Sequence, residues 1–299
     1  MMIRRMGISA RKLVAAMVVG LLLSTIAPSA LYAAEPREEI TMSPAVTKLS
    51  GEVGQSKKGS FKVVNTGEVA FDYTVYARPY SVDTEAYNPN YSDTPERSNL
   101  YRWVQFDKTT GSLQPGQTDE INYSVLVPQS ASPGGHYGVL FAETVPAKSQ
   151  KGVVVRTKRV GSVVRITVKG DVKRAGKISS IDVPWLQLKT PLEANARIEN
   201  SGNVDFDASS TTLVETIFGR EVFKSDNSHV VFPGKPRTIS TEWDGASGIG
   251  LYKVSYSVSA VDDQQSATSY VLMLPRTLLL VMASLILAGG MYAAYRRRR

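Results

Sequence analysis

The chain has 299 residues, no cysteine, two histidines and a formal net charge of +8. The positive charge lies at the two ends, because residues 35–275 hold 26 Lys and Arg against 27 Asp and Glu, and this balance excludes a basic nucleic-acid-binding body. The lack of cysteine excludes disulfides and thiol catalysis, so the body between the ends must be stable on its apolar core alone.

The first 34 residues have the layout of a secretory signal peptide. A basic start precedes an apolar stretch at 13–27, and small residues follow near position 34. An uncleaved anchor is the alternative, but the apolar stretch is short for a membrane span and Pro28 interrupts it. We therefore predict a signal peptide at 1–34 and leave its cut site open.

The segment between the two ends has a β pattern throughout. Apolar and polar residues alternate with period two at 71–77, 121–127 and 164–168, which is typical of strands that bury one face. Pro-Gly pairs at 115–116 and 233–234 predict tight turns, since proline presets φ and glycine tolerates positive φ. We predict an all-β body of antiparallel, immunoglobulin-like sandwiches.

The β region contains an internal repeat. Three segments of the first half recur in the same order in the second half: Asn65-Thr66-Gly67 and Asn200-Ser201-Gly202, Pro115-Gly116 and Pro233-Gly234, 135–139 and 250–254. Chance similarity among β-turns is the alternative. We predict two tandem sandwiches, at 35–172 and 173–272, joined within the charged stretch 170–177. The first carries an insertion near 83–100.

The region of the insertion, residues 80–103, is unusually aromatic and polar. Exposed aromatic faces suit the CH faces of sugars or the side chains of a protein partner, at low cost in side-chain entropy. The residues predicted to bind a ligand here are Tyr80, Tyr87, Tyr91 and Tyr101. In the alternative, Tyr101 and Trp103 belong to a core strand and only Tyr87 and Tyr91 are exposed.

Residues 148–177 carry ten basic residues and one acidic residue, whereas the segments on either side are acidic. On β-strands, Arg156 and Lys158 share one face, and so do Arg165 and Lys169. We predict a positive strip that binds an anionic wall polymer through teichoic phosphates or peptide carboxylates. The alternatives are contact with anionic lipid headgroups and a strand edge that its charges protect from aggregation.

Signatures of catalysis and of metal binding are weak. A catalytic triad would have to use His136 or His229, and neither lies in a nucleophile-elbow context. The oxygen-bearing residues at 203–207 have the spacing of a calcium loop, but Ala208 and Val214 stand where that loop needs glycine and glutamate. We predict a protein that is not an enzyme and that uses no cofactor and no metal.

The C-terminal end predicts a membrane helix. Residues 277–295 carry no charge, and four arginines follow at 296–299. Nineteen helical residues span roughly 28 Å, close to the hydrocarbon thickness of a bilayer, and arginines favour the inner side. We predict a transmembrane helix at 273–295, a cytoplasmic tail and sandwiches outside the cell. Leu274-Pro275-Arg276-Thr277 is similar to a sortase signal, but Leu278 replaces its glycine, which favours retention in the membrane over cleavage.

The order of these turn and strand motifs resembles the N-terminal domain of the bacterial WxL-interacting cell-surface proteins. The matching segments are Asn65-Thr66-Gly67, 73–77, Trp103-Val104, 113–117 and 133–139. The resemblance implies a first domain that binds peptidoglycan, a second domain that contacts other surface proteins or a host ligand, and no catalytic residues. The second half of this chain looks more like a generic sandwich than like that family's host-binding domain.

Together these observations predict a bacterial plasma-membrane protein with one C-terminal span and no nucleic-acid partner. Its predicted function is non-enzymatic binding that holds a cell-wall component near the membrane. That component is peptidoglycan, a teichoic-type polymer or a partner displayed on the wall. The alternative is a structural or assembly protein that scaffolds another surface protein by pairing of β-strands.

Overall fold

Strands dominate the described part of the chain, which comprises residues 37–83, 85–92, 96–146, 157–245 and 249–297 of this computed structural model. The predicted signal peptide at 1–34 lies outside these residues. Residues Glu38–Arg299 form one compact unit that contains two successive β-sandwiches and a C-terminal helix.

The first sandwich is built from two sheets that face each other. Its elements are β1 (Ile40–Ser43), β2 (Val46–Gly51), β3 (Ser56–Asn65), β4 (Phe71–Pro79), β5 (Ser81–Asp83), β6 (Asn88–Asn90), a 3₁₀ helix (Glu96–Trp103), β7 (Val104–Phe106), β8 (Thr110–Leu113), β9 (Thr118–Leu126), β10 (Gly134–Val145) and β11 (Arg159–Val168). One sheet has the order β1-β3-β9-β7 and the other β2-β11-β10-β4-β8, while β5 and β6 form a separate hairpin. All pairs are antiparallel except β2 with β11.

The second sandwich repeats this plan. Its strands are β12 (Gly176–Asp182), β13 (Leu186–Gln187), β14 (Leu192–Asn200), β15 (Phe206–Thr216), β16 (Glu221–Val231), β17 (Arg237–Trp243), β18 (Gly250–Ala260) and β19 (Asp263–Met273). A sheet of order β12-β14-β17 faces a sheet of order β13-β19-β18-β15-β16. Again one short strand, β13, pairs in parallel with the last strand, β19.

The two cores follow from the alternation in the sequence. In the first sandwich Tyr73, Ile121 and Ile166 are 1 % exposed or less, and the polar neighbours of Tyr73 and Ile121 along their strands face outward. In the second, Ile198 and Tyr256 are completely buried between the two sheets. Burial of each such side chain contributes on the order of 1.5–3 kcal/mol, which a polar side chain at the same position does not provide. The prediction of two tandem antiparallel sandwiches is confirmed.

A buried asparagine closes one end of each sandwich. In the first, the Asn65 side-chain amide donates to the carbonyl oxygens of Val69 (2.8 Å) and Leu113 (3.1 Å), and its Oδ1 accepts the N–H of Gly67 (3.0 Å). The Asn65 carbonyl oxygen accepts the N–H of Gly116 at 2.9 Å. Gly116 has φ of 76°, as the predicted Pro-Gly turn requires.

Asn200 makes the same set of contacts in the second sandwich. Its amide donates to the carbonyl oxygens of Val204 (2.9 Å) and Val231 (2.8 Å), and its Oδ1 accepts the N–H of Gly202 (2.9 Å). Its carbonyl oxygen accepts the N–H of Gly234 at 2.9 Å. The internal repeat seen in the sequence therefore corresponds to the same hydrogen-bonded corner in both sandwiches.

The chain ends in one long α-helix, α1 (Arg276–Arg297), which begins two residues after β19. This helix is long and apolar enough to cross a membrane, and its most apolar stretch is not buried against the sandwiches. Leu280 and Ile286 are each 71 % exposed. Side chains of this kind are costly to leave in water, and a bilayer would cover them.

Candidate functional site

The aromatic insertion of the first sandwich contacts the second sandwich. The Tyr87 hydroxyl donates to the Lys235 carbonyl oxygen at 2.6 Å and accepts the N–H of Phe232 at 2.9 Å. The ring of Tyr87 stacks on that of Phe232, with centroids 5.8 Å apart. Tyr87 has φ of 60°, a left-handed conformation that costs a non-glycine residue on the order of 1 kcal/mol. The expectation that Tyr87 is exposed is therefore wrong, because the second sandwich covers it.

Five side chains form what we term the aromatic seam between the sandwiches: Tyr80, Val82, Tyr87, Tyr137 and Phe232. The Tyr137 ring meets Phe232 edge-on at 4.7 Å, and Tyr80 meets it at 5.9 Å. Burial raises the pKa of Tyr87 to about 12 and also raises the pKa of Tyr80. The tyrosine hydroxyls are therefore neutral at physiological pH, and the seam is an apolar contact with a few directed hydrogen bonds.

A cluster of charges lies beside the aromatic seam. Arg165 Nη1 is 2.5 Å from Asp205 Oδ2 and 3.6 Å from Asp207 Oδ1, and Lys48 Nζ is 2.5 Å from Asp207 Oδ2. We term Lys48, Arg165, Asp205 and Asp207 the ionic cluster. The Tyr137 hydroxyl joins it to the seam, since it donates to Asp205 Oδ1 and accepts the Asp205 N–H, both at 3.1 Å.

The ionic cluster lines a cleft of about 430 Å³ between the two sandwiches. Burial raises the pKa of Asp207, but the nearby Lys48 and Arg165 cations outweigh it and hold that pKa below its usual value. Arg165 is 8 % exposed, so its charge depends on the two carboxylates for compensation. The cluster therefore attaches β2 and β11 of the first sandwich to β15 of the second.

The backbones of the two sandwiches also meet directly. The Gly135 N–H donates to the Asn203 carbonyl oxygen at 2.8 Å. Gly134 has φ of 110°, and a Cβ placed on it would lie 2.3 Å from the same oxygen. A side chain at Gly134 would push the sandwiches apart, so glycine is required by both conformation and space.

Glu85 provides one more contact from the insertion to the second sandwich. Its carboxylate accepts hydrogen bonds from Arg197 Nε at 2.9 and 3.0 Å and from the Thr238 hydroxyl at 2.8 Å. Its carbonyl oxygen accepts the Thr238 N–H at 3.0 Å. Together with the aromatic seam, the ionic cluster and the glycine contact, this arrangement holds the sandwiches in one orientation.

The remaining aromatic residues of the insertion are dispersed. Tyr91 is 37 % exposed and meets Phe141 edge-on at 5.0 Å, while Tyr101 is half-buried and accepts a hydrogen bond from Arg102 Nε at 2.8 Å. Trp103 is buried, as the alternative interpretation required, but it ends the 3₁₀ helix instead of belonging to a strand. The Tyr91 ring also lies 6.3 Å from that of Tyr80, so Tyr91 adjoins the outer side of the seam. Of the four tyrosines predicted to bind a ligand, Tyr80 and Tyr87 thus belong to the seam, Tyr91 borders it and Tyr101 lies on the 3₁₀ helix.

The predicted positive strip is not continuous over the residues that the structure describes. Arg165 faces Asp205, Lys169 pairs with Glu52 at 2.9 Å, and the Lys158 ammonium donates to a backbone carbonyl. Arg156 lies outside the described residues. Arg165 lies on β11 and the second sandwich covers it, whereas Lys169 lies just beyond the end of that strand. The expectation of a solvent-facing Arg165 is therefore wrong.

His136 is also an internal residue. Its Nε2 lies 2.8 Å from the Ser132 carbonyl oxygen and its Nδ1 lies 3.1 Å from Asn99 Oδ1, and its ring packs 4.7 Å from that of Trp103. These contacts give His136 a packing role inside the first sandwich. Within the described ranges, no group of three or more His, Asp or Glu side chains is placed to hold a metal ion.

The second sandwich has a long edge strand. Of the strands that end the four large sheets of the described chain, β16 is the longest, with 11 residues. Two contacts fix the direction of backbone groups at its two ends, the first toward β15 and the second away from it. The Thr216 N–H donates to the Arg220 carbonyl oxygen across the hairpin (2.9 Å), and the Val230 carbonyl oxygen accepts Arg237 Nη1 (2.6 Å).

The register shifts by one residue at Val222, so the β16 residues that face β15 beyond this bulge are those opposite Val214, Thr212 and Ser210. Because neighbouring backbone groups alternate in direction, the outward residues between the bulge and Val230 are Lys224, Asp226 and Ser228. All three are exposed, and no described strand pairs with them on their outer side. We term the outward backbone groups of these three residues the open edge. The amino-acid sequence does not mark this edge, since edge and interior strands have the same period-two pattern.

No protein-family model matches this chain, and no curated protein matches it. Solved structures with a similar fold include the class 5 fimbriae chaperone CfaA, with 13 % identity and a TM-score of 0.40 over 79 % of this chain and 100 % of that chain. The CsuC–CsuE chaperone–tip adhesion subunit pre-assembly complex of Acinetobacter baumannii matches with 12 % identity, a TM-score of 0.39, and 77 % and 98 % of the two chains covered. The Pseudomonas aeruginosa CupB2 chaperone has 10 % identity and a TM-score of 0.38, covering 76 % and 98 %. Similarity this distant carries no argument about function.

Proposed function

We propose that this protein is a membrane-anchored scaffold that binds an extended segment of another surface protein along the open edge by β-strand addition. The observation that carries the proposal is the 11-residue edge strand β16, which has a partner strand on one side only within the described structure. Unpaired N–H and C=O groups along such an edge are a template for one more strand.

The number of available hydrogen bonds sets the expected strength of this contact. The open edge offers two backbone groups at each of three residues, hence six hydrogen bonds of about 0.5–1.5 kcal/mol each. Association of two proteins costs on the order of 4–15 kcal/mol, so the backbone contacts alone give weak binding. Side chains of the partner must supply the remainder, and with it the specificity.

The outer face of β16 indicates the chemistry of that partner. Lys224 and Asp226 are exposed on this face, and Val230 is half-buried near its end. Cross-strand neighbours of opposite charge stabilise a sheet, so the partner strand would place an acidic residue opposite Lys224 and a basic residue opposite Asp226. A polar edge of this kind also avoids indiscriminate association.

The seam and the helix give this edge a fixed position. Because the aromatic seam and the ionic cluster hold the sandwiches in one orientation, β16 is presented on a rigid body. We propose that α1 crosses the membrane with its basic end inside and both sandwiches outside, as the sequence predicts. The protein would then hold its partner close to the membrane without any catalytic step.

The proposal is tested by photo-crosslinking from the open edge in intact cells that express the full chain. A benzoylphenylalanine at Asp226 should give one discrete adduct, whereas the same group at exposed Ser266 of β19 should give none. Ser228→Pro removes an outward N–H and obstructs an added strand, yet edge strands tolerate proline at such positions. The adduct should disappear in Ser228→Pro and persist in Ser228→Ala.

Two outcomes would contradict the proposal. The first is an adduct that persists in Ser228→Pro, since binding would then not use the edge backbone. The second is sedimentation of the full chain with purified wall sacculi to the same extent in Ser228→Pro and Ser228→Ala, with no protein adduct. That result would favour binding of a wall polymer, which the sequence predicted as the main function.

A further inference from the structure

Large apolar side chains are exposed at one end of the second sandwich. Outside α1, every described large apolar residue with more than half of its surface exposed belongs to this group. The members and their exposed fractions are Trp185 (68 %), Ile217 (52 %), Phe218 (89 %), Ile249 (54 %), Tyr270 (61 %) and the adjoining Leu251 (43 %). We term these six residues the apolar rim.

Strand register places the apolar rim at the end from which α1 leaves. Leu251 lies opposite Leu272 on β19, and the Leu272 N–H donates to the Trp185 carbonyl oxygen at 2.7 Å. Ile249 directly precedes the residue that lies opposite Met273, the last residue of β19. All three rim residues are therefore within about three residues, or roughly 10 Å, of the end of β19.

The hairpin between β15 and β16 brings the other rim residues to the same level. Thr216 lies opposite Tyr252, which lies opposite Val271 of β19. Ile217 and Phe218 continue beyond Thr216, toward the end at which β19 finishes. The rim thus includes contributions from the β12–β13 connection, the β15–β16 hairpin, the β17–β18 connection, β18 and β19.

The link between β19 and α1 is too short to separate this end from the membrane. Only Leu274 and Pro275 lie between the strand and the helix, and two residues span at most about 7 Å. The Leu274 N–H donates to the Gln187 carbonyl oxygen (3.0 Å) and the Arg276 N–H to the Leu188 carbonyl oxygen (3.3 Å). The link is therefore attached to the sandwich, and a spanning α1 brings the rim to the bilayer surface.

We propose that the apolar rim is a membrane-contact surface, whose side chains enter the interfacial region of the bilayer that α1 crosses. Tryptophan and tyrosine are the side chains that favour this region, and large exposed apolar groups are stable there but not in water. The contact would fix the tilt of the sandwiches and hold β16 at a constant height. This inference depends on the membrane anchoring stated in the proposed function but not on strand addition.

Trp185 provides a direct test. The full chain would be reconstituted in phosphatidylcholine vesicles with and without lipids brominated at shallow acyl positions. Trp103 is buried, whereas Trp243 is half-buried and packs against the core, so Trp185 is the most exposed of the three tryptophans and should give most of the change in emission. Brominated lipid should reduce the Trp185 emission roughly twofold, as for a residue in the interface. Trp185→Phe should abolish this reduction.

The matched control moves the probe to the first sandwich. Val69→Trp in the Trp185→Phe background places an exposed tryptophan between β3 and β4, and its emission should be indifferent to brominated lipid. The double variant Ile217→Ser, Phe218→Ser should weaken quenching of Trp185 at unchanged thermal stability, because both side chains are exposed.

Alkaline extraction of the vesicles distinguishes failure of the membrane anchor from failure of the membrane contact. If the full chain is extracted at alkaline pH, α1 does not span the bilayer and the proposed anchoring is contradicted. If α1 is retained and Trp185 shows the same emission with and without brominated lipid, the apolar rim does not contact the membrane and the inference is overturned. Equal quenching of Trp185 and of the tryptophan at position 69 would overturn it as well, since the contact would not be specific to the rim.

Discussion

Replacing Arg165 with methionine should weaken the attachment of the two sandwiches. The Arg165 and Asp205 side chains are 9 % and 12 % exposed, and the atoms that join them are 2.5 Å apart. Removal of one partner from a buried ion pair leaves the other charge uncompensated, at a cost of about 3–5 kcal/mol. The Tyr137 hydroxyl still donates to Asp205, which offsets part of that cost. We therefore expect a loss of about 3 kcal/mol, at the lower end of the range.

The assay is urea unfolding of the full chain in detergent micelles, with a double-variant cycle. Arg165→Met and Asp205→Asn should each lower the free energy of unfolding. The loss in the double variant should be smaller than the sum of the two single losses by about 1.5 kcal/mol or more. Lys169→Met is the matched control from the residue that directly follows β11. Its pair with Glu52 is 62 % and 53 % exposed, so the loss of this pair should lower the free energy of unfolding far less than the loss of the Arg165 pair.

Equal losses for Arg165→Met and Lys169→Met would refute this reasoning, because burial would then make no difference to the ion pair. Additive effects of Arg165→Met and Asp205→Asn would refute it too. Such additivity would mean that the contact at 2.5 Å does not couple the two residues.

Two further variants test other contacts between the two sandwiches, one in the aromatic seam and one at the close backbone approach. Tyr87→Phe removes a buried hydroxyl that makes two hydrogen bonds and should cost about 1–3 kcal/mol in unfolding free energy. Because the pKa of Tyr87 is raised to about 12, its stabilising effect is complete below pH 10 and is lost as pH rises toward 12; Tyr87→Phe should reduce this alkaline loss. Gly134→Ala should cost more than Gly116→Ala, since both glycines have positive φ but only a Cβ at Gly134 meets the Asn203 oxygen.

For each of these two predictions there is a result that would contradict it. An alkaline unfolding profile that is identical in the Tyr87→Phe variant and the unaltered protein would show that Tyr87 is not the residue that titrates. Equal denaturation midpoints for Gly134→Ala and Gly116→Ala would show that the sandwiches can separate at Asn203 without loss, and that the close backbone contact is not required.

The two sandwiches could be predicted from the sequence because the pattern that encodes each strand lies within a few consecutive residues. Period-two alternation around Tyr73, Ile121 and Ile166 records which face of each strand is buried, whatever that strand pairs with. The paired corners around Asn65 and Asn200 were visible for the same reason, since each is encoded by a short turn motif.

The position of the candidate site was only partly predictable. The sequence predicted that Tyr87 and Arg165 are exposed and bind a ligand, because a polar aromatic loop and a basic strand are typical of exposed binding sites. The structure places both against the second sandwich. Their partners, Phe232 and Asp205, are 145 and 40 residues away along the chain. Phe232 precedes a Pro-Gly turn and Asp205 belongs to the calcium-like spacing at 203–207, but neither pattern indicates a contact between the sandwiches.

Strand content, the doubled sandwich and the apolar C-terminal helix follow from the amino-acid sequence alone, because each is encoded by the periodicity or composition of a short segment. Which polar and aromatic residues are covered, which strand has an open edge and which apolar residues lie around the start of α1 depend on how the folded chain packs. The physical reason is that burial between two folded bodies depends on surfaces brought together from distant parts of the chain. A local pattern carries no information about that contact.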